Sequence, residues 1–106
     1  MTAEAHTTVE VSAALEKAGA SLERLMRSEK GWDLGSVDRE RGYIEATCRA
    51  GLLPGVAHVV FELQSTPTSG TSVVARLVGT PLLGGRSSLR KVHALLSRLG
   101  EHLEDA

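Results

Sequence analysis

The sequence predicts an α+β domain: an antiparallel sheet of about five strands, in the order β-α-β-β-β-β-α, with two helices packed on one face. Three observations predict it. Apolar residues recur every three to four positions in two segments, one near each end of the chain. Between those segments the apolar period drops to two, over stretches of strand length. Turns rich in Gly, Pro, Asp and Ser join these stretches, so the strands follow one another as hairpins and bury one face of the sheet under both helices.

The elements follow in order. A first strand over His6 to Val11 turns Val9 and Val11 inward. Ser12 is a suitable N-cap for a helix whose apolar stripe is Leu15, Ala18, Leu22, Leu25 and Met26. Glu16, Glu23, Arg24 and Arg27 fall on the opposite side, with Glu23 and Arg27 spaced to pair along it. Gly31 supplies a helix stop just before Trp32 and Leu34, which open a short strand. Asp38 to Gly42 turns the chain. Ile44, Ala46 and Cys48 then alternate with Tyr43, Glu45, Thr47 and Arg49. In the next strand Ala57, Val59, Phe61 and Leu63 alternate with Val56, His58, Val60 and Glu62. After the Ser65 to Gly70 turn, Val73, Ala75 and Leu77 alternate with Val74, Arg76 and Val78. The final helix begins near Ser87 or Ser88 and carries Leu89, Val92, Leu95, Leu96, Leu99 and Leu103 on its stripe. Gly19 and Gly100 flank the two stripes, where the helices can approach each other closely.

Composition agrees with one globular domain over residues 1–106, with an ordered core over about 7–103 and frayed ends. Hydrophobic residues at 42% and charged residues at 24% exclude a disordered chain, a collagenous repeat and a disulfide scaffold. A net charge of -1 removes any global attraction to polyanions. The start, Met1 to His6, has neither the basic region nor the apolar run of a signal peptide. No apolar stretch approaches the roughly 20 residues of a membrane span, so a cytoplasmic protein is expected. Cys48 stands alone, which excludes an internal disulfide and a cysteine-built zinc site.

The element order resembles the TATA-binding-protein-like topology, a short relative of the helix-grip arrangement used by lipid-transfer domains. Gly31-Trp32, then Asp38 to Gly42, then Ile44-Glu45-Ala46-Thr47 resemble a group of small uncharacterised bacterial domains. There a Gly-Trp strand start leads to a similar hairpin, two amphipathic strands and a last helix. The likeness covers about residues 12–100, although that group tends to carry an aspartate where this chain has Ala57-His58. It implies the fold and carries over no catalytic residue.

The chemistry-bearing residues are sparse. His6, His58, His93 and His102 form no pair with metal-ligand spacing, so no metal or other cofactor is expected. Neither Cys48, Ser36 nor Ser72 lies in a strained Gly-flanked turn of the nucleophile type, and an enzyme is not expected. Gly84-Gly85-Arg86-Ser87-Ser88 fits either an anion cradle at a helix start or an ordinary loop with its N-cap. No acid occurs from Gln64 to Gly100, while Arg76, Arg86, Arg90, Lys91 and Arg98 do. With one Trp, one Tyr and one Phe, base stacking is poorly served, and nucleic acid is not the expected partner. These bases are expected to face solvent or to pair with acids of the first helix.

Two apolar features point to binding. Leu52, Leu53, Leu82 and Leu83 sit as adjacent pairs in Gly- and Pro-flanked loops, where they either plug the ends of the core or rim an opening. Val56, Val60, Val74 and Val78 lie on the outward phase of two neighbouring strands, among Glu45, Arg49, Glu62 and Arg76. An apolar stripe bordered by both signs of charge suits a self-complementary interface. The leading expectation is therefore a non-enzymatic interaction module or small adaptor, homodimeric or docking another protein, through Val60, Glu62, Val74, Arg76 and Val78. The alternative is a carrier of a small apolar ligand in a cleft between the sheet and the C-terminal helix. The small inward residues Ala46, Ala57 and Ala75, facing Leu95, would leave that cavity.

Overall fold

The computed structural model describes residues 6–49, 57–78 and 85–104. Strand β1 (His6–Val11) leads to α1 (Leu15–Ser28), followed by β2 (Trp32–Asp38), β3 (Tyr43–Cys48), β4 (Ala57–Ser65), β5 (Thr71–Val78) and α2 (Gly85–Glu104). The strands form one sheet in the order β1-β5-β4-β3-β2, and every neighbouring pair is antiparallel. This is the expected α+β architecture.

Register turns the period-two pattern into rows across the inner face. Ile44 pairs with Phe61 and Phe61 with Ala75, while Ala46 pairs with Val59 and Val59 with Leu77. All six are buried, as are Ala18, Leu22 and Met26 of α1 and Val92, Leu95, Leu96 and Leu99 of α2. They form one hydrophobic cluster, so both helices lie on the same face of the sheet. Phe61 sits on the middle strand with no exposed surface, its ring centroid 5.9 Å from that of Trp32 at a tilted 51°.

Among the described residues strict alternation fails once. Leu34 pairs with Ala46 but Val37 with Ile44, so Gly35 and Ser36 together oppose Glu45 in a bulge. Gly35 passes so close to β3 that a Cβ there would lie 2.9 Å from the Glu45 carbonyl oxygen. The extra residue moves Val37 onto the core side, where it packs against the cluster.

Several local expectations are corrected. Ser12 does not cap α1: the N-cap is Ala14, in extended conformation and without a side-chain cap. The Thr71 hydroxyl donates to the Ala13 carbonyl at 2.7 Å, which ties the segment after β1 to β5 and delays the helix. At the other end Glu29 is the C-cap, and Gly31 (φ +86°) turns the chain into β2 instead of stopping the helix. Glu23 is not on the solvent side but 8% exposed, and its ion-pair partner is Arg39 rather than Arg27. Gly19 faces Leu63 of β4 at an ordinary contact distance, and Gly100 faces open space, so neither brings the helices together. A cross-helix tie comes instead from the ion pair of Arg98 on α2 with Glu29, which agrees with the expectation that these bases meet acids of the first helix.

Gly42 (φ +65°) accepts the Leu63 N–H at 2.7 Å, and a Cβ there would meet the Leu63 carbonyl oxygen at 2.5 Å. Gly42→Ala should therefore cost about 1–3 kcal/mol through backbone strain and displacement of β4. Phe61→Ala should cost about 3–5 kcal/mol, a large share of the stability of a domain this small. Urea unfolding midpoints will check both, with the larger loss expected at Phe61.

Candidate functional site

The five residues expected on the outer sheet face do come together there. Val60, Glu62, Val74 and Arg76 are half-buried, and Val78 is 51% exposed. Register decides their arrangement. Val60 stands opposite Arg76, and Glu62 opposite Val74, so valines and charges alternate like a checkerboard. Arg76 Nη2 pairs diagonally with Glu62 Oε1 at 2.5 Å across that patch. Val60 and Val74 therefore stand directly opposite charged residues, Val78 stands opposite His58, and Val60 lies diagonal to both other valines. Glu45 completes the surface, accepting from Ser36 Oγ at 3.1 Å and from the Tyr43 hydroxyl at 3.2 Å. Partial burial, and then the Glu45 carboxylate, push the Tyr43 phenol above its ordinary range.

Leu52, Leu53, Leu82 and Leu83, with Val56, lie outside the described residues. The residues that flank them, Cys48, Ala57 and Val78, meet at one end of the sheet. Gly85 to Ser88 belong to the first turn of α2, while Gly84 is outside the described residues. Among the described residues no group of three or more His, Cys, Asp or Glu could hold a metal, and no helix is long and apolar enough to cross a membrane.

The four residues expected to line a cleft between the sheet and α2 are buried, and the leucine loops expected at its rim lie outside the described residues. Ala46, Ala57, Ala75 and Leu95 are each at most 3% exposed and belong to the core cluster together with Phe61, Leu96 and Leu99. The small residues there accommodate close packing.

A cavity of about 530 Å³ lies instead on the other helix, between α1 and the β2–β3 hairpin. Its helical wall is Leu15, Gly19 and Glu23, spaced four apart and so on one face of α1, with Ala20 beside them. Val37 and Ile44 line the sheet side, Leu63 contributes from β4, and Arg39 and Gly42 close the hairpin end. Lys17, Glu16 and Asp38 add charges to its lining. Gly19 and Ala20 leave the volume because no large side chain fills this face, whereas Ala18, Leu22 and Met26 on the neighbouring face fill theirs. Sequence reasoning missed the site for two reasons. Val37 reaches it only through the bulge, and Glu23 reads as a solvent residue by helical period.

No family model matches the chain, and neither does any curated protein. Solved structures do. A START superfamily protein from Mycobacterium smegmatis superposes with a TM-score of 0.65 at 13% identity, covering 96% of this chain and 97% of that one. Ara h 8.0201 gives 0.67 at 8% identity, with 98% and 99% covered. The protein TTHA0849 from Thermus thermophilus gives 0.58 at 16%, with 97% and 98% covered. The chain has a START-like α+β fold. These structures support the α+β fold that the sequence resemblance implies.

The single thiol is a packing residue. Cys48 is 1% exposed, and burial pushes its thiol above the ordinary range while the Lys91 charge acts weakly the other way. The folded state therefore holds the thiol proton more tightly than the unfolded one. This stabilisation is present below the ordinary thiol pKa and is lost as pH rises through the folded-state value. Native protein at pH 8 should react with a disulfide reagent at Cys48 far more slowly than urea-unfolded protein, which a chromogenic thiol assay will read. Glu62→Gln should change stability by less than about 1 kcal/mol in thermal unfolding, because its ion pair with Arg76 is only half-buried.

Proposed function

We propose that this protein binds and carries a small, largely apolar molecule without transforming it, in the cavity between α1 and the β2–β3 hairpin. The observation that carries this reading is the cavity itself. At about 530 Å³ it has the size of small-molecule sites, and Leu15, Val37, Ile44 and Leu63 give it an apolar lining. The START-like fold supports the reading, as does the sequence's resemblance to the helix-grip arrangement of lipid-transfer domains. Catalysis would need a nucleophile, a metal or a positioned acid–base pair. The mixed lining of this cavity reads more simply as a hydrophobic seat with a charged mouth.

Self-association through the outer sheet face is the second reading. Val78, an exposed large hydrophobic residue beside the Arg76–Glu62 pair, favours it. A face of alternating valines and charges gives less apolar area than a stable dimer core uses.

Native mass spectrometry of freshly purified protein separates the two. A monomer carrying a reproducible adduct of a few hundred daltons is expected, and a bare dimer at every concentration would overturn the carrier reading. Gly19→Leu should fill the cavity from α1 without crowding, since the only atom near a Cβ there is Leu63 Cδ2 at 3.8 Å. Replacing a mid-helix glycine should hold or raise stability by up to about 1 kcal/mol. Binding of the adduct should fall at least tenfold, and retention of wild-type binding by the folded variant would place the ligand elsewhere.

A further inference from the structure

The cavity has one charged group that its wall holds largely out of water. The Glu23 side chain is 11% exposed, whereas that of Arg39, its ion-pair partner, is 79% exposed. The contact is a single approach of Arg39 Nη2 to Glu23 Oε2 at 3.4 Å. Among the described residues the carboxylate accepts no hydrogen bond, and no fully enclosed side-chain oxygen lacks a partner. The Glu23 oxygens therefore retain access to the cavity they line. Asp38, the next acid along the lining, is already engaged by the Arg41 backbone N–H at 3.2 Å and by the Arg41 guanidinium.

A largely buried carboxylate held by one 3.4 Å contact to a solvated guanidinium keeps acceptor capacity for a donor that enters the cavity, because water screens that partner. A cation that enters with an apolar body displaces Arg39 into solvent, where it already largely sits, and donates directly to Glu23 in a drier setting. We propose that the cavity selects a cationic amphipath, with an amine or amidine group on Glu23 and an apolar body against Leu15, Val37, Ile44 and Leu63. The inference rests on the carrier reading and adds to it the chemical class of the ligand.

The test titrates the full chain with decylamine, 1-decanol and decanoate by calorimetry at low ionic strength. Decylamine should bind at least tenfold more tightly than decanol to the wild-type protein. Glu23→Gln, which keeps size and polarity, should abolish that preference. Arg39→Ala should strengthen decylamine binding several-fold by removing the competing cation, and this exposed position carries little risk to folding. Equal affinity for all three probes would overturn the charge inference and leave the carrier reading in place. Tighter binding of decanoate would overturn it in favour of Arg39 and Lys17 as anchors. Binding of none of the three would overturn both.

Discussion

Phe61 occupies the middle of the middle strand, and the placement of both helices depends on burying it. Its neighbours across the sheet are Ile44 and Ala75, and its ring meets Trp32 from the edge strand. One large ring between Ile44 and the small Ala75 makes a raised centre with lower ground on the β5 side. Helices settle on such a floor with small contacts beside the ring and large ones further out, which is how Leu22, Met26, Leu95 and Leu99 become fully buried. Among the described residues, open volume lies where a helix face lacks bulk.

That place is the second face of α1. One stripe of this helix, Ala18, Leu22 and Met26, closes the core. The adjacent stripe, Leu15, Gly19 and Glu23, walls a cavity whose far side is the β2–β3 hairpin. Gly19 costs helix propensity and leaves space in the same stroke. Glu23 costs desolvation and keeps a carboxylate facing that space. The site borders the core, and Ile44 and Leu63 belong to both.

The outer sheet face shows how register can undo a pattern that looks apolar along each strand. Val60 and Val74 share a phase, yet their cross-strand partners are Arg76 and Glu62. Aliphatic stems of charged residues then separate the valines, and the ion pair of Arg76 with Glu62 runs between them. On the neighbouring strands Glu45 is held by Ser36 and Tyr43, which makes this part of the surface polar and ordered.

The amino-acid sequence alone determined the element order, the inward and outward residues of β3, β4 and β5, and the buried apolar residues Ala18, Leu22 and Met26 of α1 and Val92, Leu95, Leu96 and Leu99 of α2. These are local consequences of periods of 2 and 3.6, and each strand's alternation declares which side faces the core. Strand neighbours, the bulge at Gly35 and Ser36, and the partner of Glu23 were decided by tertiary structure. Each is set by residues far apart in the chain. A bulge exchanges inside for outside in a single step, so Val37 lines the cavity only because β3 pairs with β2 in that register. Glu23 sits beside the cavity only because the hairpin folds back over α1 and brings Arg39 to it. Periodicity records which way a side chain leaves its own element; what it meets there depends on where the other elements pack.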